Sequence, residues 1–155
     1  MVALPSMAFA QKFGVINTET LMQNLPEMKE VQTQFEAASK KYEDEFQNLQ
    51  GEFQKKYTEF QNMEETTPQT IKDRRIQELQ ELDQKIQQFR QTASQDLQRQ
   101  QEQLLAPIQQ KVRTAIQSVG AEGSFTMIFE NMIPLYVGSD VIDVTPLVKT
   151  KLGVK

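Results

Sequence analysis

Apolar residues recur at steps of three and four from Val31 to Val119, and that spacing constrains the chain more than any other feature of it. A first series runs Val31, Phe35, Ala38, Tyr42, Phe46, Leu49, Phe53, Tyr57 and Phe60. A second runs Leu79, Leu82, Ile86, Phe89, Ala93, Leu97, Leu104, Ile108, Val112, Ala115 and Val119. Both are helix spacings. The steps also add to eleven, as in Phe35, Phe46 and Tyr57, in Ala38, Leu49 and Phe60, and in Ile86, Leu97, Ile108 and Val119. Eleven residues in three turns is about 3.67 per turn, so each apolar stripe stays nearly parallel to its helix axis. At 1.5 Å per residue the first helix should span roughly 55 Å and the second roughly 75 Å.

Punctuation agrees with two rods. No proline occurs between Pro26 and Pro68, and both prolines suit the first turn of a helix, with Glu27 beside the positive helix end and Thr67 as N-cap of the second helix. Gly120 reads as the C-cap that ends it. If the chain reverses near Thr67-Pro68, facing residues should have numbers adding to about 135. That register sets Phe53 against Leu82, Leu49 against Ile86, Phe46 against Phe89, Tyr42 against Ala93, Ala38 against Leu97 and Val31 against Leu104. Charge favours the same pairing: Glu27 to Glu65 carries ten acids and five bases, Thr66 to Val119 six acids and eight bases. Surface ion pairs contribute about 0 to 1 kcal/mol each, so the apolar seam holds such a hairpin and charge mainly disfavours wrong pairings. Gly51 and Pro107 interrupt the rods, either as points of flexibility or as tolerated defects on solvated faces.

The two ends of the chain differ from this middle. Phe13 to Asn17 and Phe125 to Glu130 are strand-like by their β-branched and aromatic content, and Leu135 to Val137 can make a third strand with Gly138-Ser139 as its turn. Asp143 or Thr145 could cap a last helix, with Pro146 early in it and Leu147, Val148 and Leu152 on its apolar face. The expected fold is therefore α+β and mostly α: a long antiparallel two-helix hairpin, a coiled-coil arm, projecting from a small β-containing body. The body takes residues 11–25 and 120–155, the arm 26–119, and the tip lies near 64–70. A body of that size is marginal alone, which argues for oligomerisation through it.

The opening Met1 to Ala10 ends in Ala8-Phe9-Ala10, the small-x-small pattern that precedes a signal-peptidase cut. Residues 1–10 are expected to be a residual signal peptide: the run is too short to span a membrane, which takes about 20 apolar residues, and it lacks the basic start of a complete signal.

Composition removes most chemistry. Among 155 residues there is no His and no Cys, so a His base, a thiolate nucleophile and the usual zinc ligands are all missing. A net charge of -4 offers no basic surface to a phosphate backbone, and nucleic acid is not an expected partner. Gly120 to Gly123 follows a helix instead of opening one, so it is no phosphate loop. The carboxylates of Glu43-Asp44-Glu45 and of Glu64-Glu65 occupy adjacent helix positions that do not converge, and they read as solvated faces. No catalytic, cofactor-binding or metal site is expected. What stands out is aromatic: Phe35, Tyr42, Phe46, Phe53, Tyr57 and Phe60, with the pliable Met63 near one end, are richer in rings than a two-helix seam requires. They either fill the hairpin interior or face a cavity as adaptable apolar surface.

The order of these parts resembles the Skp, or OmpH-like, family of periplasmic chaperones. The resemblance rests on Phe13-Gly14-Val15-Ile16-Asn17-Thr18, on Leu25-Pro26-Glu27-Met28-Lys29 opening a long Gln- and Lys-rich hairpin, on Phe125 to Glu130, and on the close from Gly138 to Lys149. It implies a homotrimer whose strands form a β body and whose three hairpins surround a cavity that holds unfolded outer-membrane proteins without ATP or any cofactor. The best-known members are strongly basic and this chain is acidic, so contact with a membrane surface or lipopolysaccharide is not carried over, and apolar contact with confinement remains as the mechanism. The expected function is an ATP-independent periplasmic holdase. The competing expectation is a structural coiled-coil adaptor or spacer that binds one folded envelope partner.

Overall fold

The computed structural model describes residues 11–154, which form three strands and four helices in the order β1 (Phe13–Ile16), α1 (Thr18–Gln23), α2 (Pro26–Gln61), α3 (Gln69–Glu122), β2 (Met127–Glu130), β3 (Ile142–Asp143) and α4 (Thr145–Lys151). The expected signal residues 1–10 lie outside the described residues. The fold is α+β and mostly α, with 36 residues in α2 and 54 in α3. The described residues divide into two compact units, one made of residues 11–30 together with 105–154, the other of Val31–Leu104.

In the first unit β1 is the central strand of a three-stranded parallel sheet of order β2-β1-β3. Gly14 sits in a crowded place: a Cβ on it would lie 3.1 Å from Val144 and 3.2 Å from both Ile128 and Phe125, so those side chains would have to shift to admit one. Asn17 ends the strand and caps α1, its side chain accepting the N–H of Thr20 at 2.9 Å. Glu130, at the end of β2, accepts both the N–H (3.0 Å) and the hydroxyl (2.9 Å) of Thr18, so the start of α1 is tied to the sheet. The core of this unit gathers Ile16, Leu21, Ala115, Val119, Val144 and Val148, with Ile116, Phe125, Ile128 and Leu152 packed against it.

In the second unit the helices run antiparallel, as their contacts show. Tyr42 touches Phe89 (ring centroids 6.0 Å apart) and donates a hydrogen bond to Asp96 (3.0 Å), Arg90 lies over the Phe46 ring at 5.6 Å, and Lys56 pairs with Glu78 at 3.4 Å. The numbers of these partners add to between 131 and 138, on either side of the expected 135. Both rods continue unbroken in their backbone assignment through Gly51 and Pro107.

Several local expectations need correction. Leu135–Val137 is not a strand; the third strand is Ile142–Asp143, because only there does the chain come back beside β1, pairing with Gly14 and Val15. Gly120 does not end α3, which continues to Glu122; Gly120 sits inside the helix where Ile128 approaches within 3.4 Å of its absent Cβ. The residue before α3 is Pro68, not Thr67, and the Pro68 carbonyl accepts from Ile71 and Lys72. The cap of α4 is Val144; Asp143 accepts the Thr145 N–H at 2.9 Å, and Thr145 instead turns its hydroxyl to the Asn17 N–H at 3.0 Å. Leu147 is exposed, so the inner face of α4 is Val148 and Leu152.

Candidate functional site

Two apolar surfaces remain open among the described residues, one on each unit. The first follows from the pleat of the sheet. Alternate residues of β1 point to opposite faces: Gly14 and Ile16 are buried against helices, whereas Phe13 and Val15 point the other way, in register with Met127 and Phe129 of β2. Among the described residues that second face has no helix over it. Phe13, Val15 and Phe129 instead line a pocket of about 250 Å³ with Ile133, Pro134, Tyr136, Val137 and Val141. Met127, Met132, Ile133, Leu135 and Tyr136 are exposed around it. Parallel sheets are almost always covered on both faces, and this one is covered on one.

The second surface runs along the helix pair. Of the whole apolar seam between Val31 and Leu104, only Leu49, Leu82 and Ala93 are buried. The stripe residues Phe35, Tyr42, Phe46, Phe53, Phe60 and Met63 are half-buried. Tyr57 is 40% exposed and stacks on Phe53, with centroids 6.2 Å apart and an interplanar angle of 6°. Two grooves open along this seam, one of about 460 Å³ lined by Ala37, Ala38, Tyr42 and Leu104 among others, and one of about 790 Å³ beside Gly51.

Polar cross-links hold the helices in register without closing these grooves. The Tyr42 hydroxyl donates to Asp96, which Arg99 also engages, and that bond to a carboxylate raises the tyrosine above its ordinary pKa. Glu78 receives Arg75 at 2.8 Å, Arg74 at 3.2 Å and Lys56 at 3.4 Å; the hydrogen bond from Arg75 is the main cause that holds its carboxyl below the usual range. In the first unit Lys111 does the same for Glu27, lowering it chiefly through their hydrogen bond. Along the rods glutamines donate to acids four residues away, as Gln47 to Glu43, Gln87 to Asp83 and Gln98 to Glu102.

Sequence reading set a strand-to-helix start at Phe13 to Thr18 but did not delimit α1 or single out Leu21 and Leu25, two of the most deeply buried residues. The signal was present: Asn17 as cap, Glu19 in the first turn, and a Leu pair four apart. It missed the cross-seam acceptors Asp96 and Glu78 as well, which no periodicity marks. No group of three or more acidic side chains among the described residues could hold a metal ion, and no described helix is long and apolar enough to cross a membrane.

A sheet bare on one side and a helix pair that leaves its rings accessible make surfaces for binding polypeptides. Comparison with known families gives the class: the model of a family described as outer membrane protein (OmpH-like) matches residues 12–152. The chain belongs to the OmpH-like family, which at family level consists of envelope-associated chaperones of outer-membrane proteins. No match was found among curated proteins.

Proposed function

We propose that the protein is an ATP-independent periplasmic holdase that assembles as a homotrimer and binds unfolded outer-membrane proteins in a cavity between its helical arms, residues 26–119. The observation that carries the reading is the division of accessible apolar surface between the two units. The sheet face around Phe13, Val15 and Phe129 is extensive and apolar, and copies of the chain are the cover that a marginal body requires. The helix pair presents half-buried rings in a long row, which suits weak contact with many unfolded segments better than tight fit to one ligand. Phe35, Tyr42, Phe46, Phe53, Tyr57, Phe60 and Met63 are the proposed client-facing residues.

The test is light scattering of a urea-unfolded outer-membrane β-barrel protein diluted into buffer, with and without the chaperone and without nucleotide. Suppression of scattering at near-equimolar trimer, with little preference among unfolded barrels, is the expected result. Absence of suppression, together with tight binding of one folded envelope protein, would replace the holdase by the adaptor reading.

A further inference from the structure

The two most exposed methionines among the described residues both belong to the uncovered side of the sheet unit. Met127 is 54% exposed and stands in register with Phe13, on the side of β2 that also presents Phe129. Met132, just beyond the end of β2, is 85% exposed, and its neighbour Ile133 lines the pocket on that face. The other described methionines, Met22, Met28 and Met63, are half-buried. The chain has no cysteine, so thioethers are its only sulfur and no thiol of its own competes for an oxidant. Around them the surface is almost wholly apolar: of the eight side chains that line the pocket, only Tyr136 carries a hydrogen-bond donor.

We propose that Met127 and Met132 are modification sites at which a peroxide or a hypohalous acid switches off assembly of the chain. The proposal rests on the reading that copies meet at the uncovered sheet face, and it adds what controls that meeting. Each thioether sulfur loses two electrons and takes up one oxygen atom, while the peroxide that supplies it is reduced to water. The sulfoxide is a strong acceptor on a side chain that had been apolar. Covered by a second copy without a donor, it carries a desolvation cost that the thioether did not; left in water, it is solvated. The oxidised chain therefore stays folded and single. Two thiols reverse the step, the sulfur returning to thioether as the thiols join in a disulfide and water leaves. Assembly and oxidation exclude each other at Met127, because a covered face hides the sulfur and an oxidised sulfur keeps the face uncovered.

The test begins with partial oxidation of the full-length protein by hydrogen peroxide at micromolar concentration, then size-exclusion separation and peptide mass mapping of each fraction. Sulfoxide at Met127 and Met132 should be enriched roughly tenfold in single chains over assembled ones, and sulfoxide at Met22, Met28 and Met63 should be shared about equally. Circular dichroism of the oxidised single chains should match the parent, and a methionine-sulfoxide reductase with dithiothreitol should restore their assembly. A chain carrying Met127→Leu and Met132→Leu keeps apolar bulk without sulfur, so its concentration for half-assembly should move less than about twofold in peroxide. If that variant does not assemble even untreated, the mapping of the parent decides alone. The switch is overturned, and the assembly reading left standing, by a parent that remains assembled with both residues oxidised, by sulfoxide at both sites shared equally between fractions, by oxidised single chains that have lost their helix, or by a leucine variant that peroxide disperses as it does the parent. An untreated parent that is a single chain at micromolar concentration removes the assembly reading and the switch with it.

Discussion

The two units of the chain treat their apolar residues in opposite ways. In the sheet unit Leu21, Leu25, Val144 and Val148 are fully buried, and one face of β1 is sealed beneath helices. In the helix pair no side chain reaches that state: Leu49, Leu82 and Ala93 are buried less deeply, and the rings beside them remain half open. The difference is geometric. A sheet backed by helices makes a layer, and a residue in a layer has neighbours on every side. Two helices make only a line of contact, flanked by solvent. The first arrangement concentrates stability; the second spreads it thinly along many turns and leaves apolar surface exposed as a by-product of its shape. A protein that must keep apolar surface available without collapsing on it can use the second.

The sharpest way to break that comparison is to attack the layer. Val148→Asp places a carboxylate where no described residue offers a cation or a gap, and should cost about 4 kcal/mol or more. Urea unfolding should show the body lost at concentrations where the parent remains folded. A Val148→Asp protein as stable as the parent would mean the layer is not the stable element. The line should respond less. Leu82→Ala truncates one of the three buried seam residues, beside open solvent, where neighbours can relax and water can enter, so about 2 kcal/mol is expected, at the low end for such truncations. Melting of the far-UV signal measures it.

The smallest effect concerns charge. The carboxyl of Glu78 is lowered in the folded state by Arg75 and then Lys56, so its contribution is present above the unfolded value near 4.5 and disappears as pH falls through the lower folded value. Glu27 behaves alike through Lys111. Thermal melts of the parent should therefore slip as pH drops below about 4.5, and in Glu78→Gln the slip should be shallower. Salt should matter little to the rods, since glutamine-to-acid hydrogen bonds replace many of the ion pairs that salt would screen. A melting temperature that falls steeply with added salt would contradict this.

How much of this was legible in the sequence depended on length. The rods announced themselves because a period repeated from Val31 to Val119 averages out local accidents, and the antiparallel register followed from arithmetic on the same residues. The body resisted because its elements are short. α1 has six residues and β3 two, too few for any period to rise above chance. Leu135 to Val137 read as a strand because β-branched and aromatic residues fit a pleated surface, but strand formation needs a partner, and these residues join neither open edge of the sheet. Gly120 misled for a related reason: a glycine near a helix end suggests a left-handed cap, but α3 runs past it to Glu122, with Ile128 in ordinary contact beside it. Of the surfaces, the aromatic stripe could be read directly, whereas the bare sheet face could not, because it depends on which strands align.

The central claim is that this bare face is where copies of the chain meet, leaving the helix pair free. Sedimentation equilibrium of the full-length protein tests it most directly, in the parent and in Phe129→Asp, which sets a charge on the face without touching the covered side of the sheet. The account predicts a mass of three chains, each of 17.9 kDa, for the parent at micromolar concentration, and a shift to single chains in Phe129→Asp. A parent that sediments as a single chain, or a Phe129→Asp variant that stays as assembled as the parent, would contradict it.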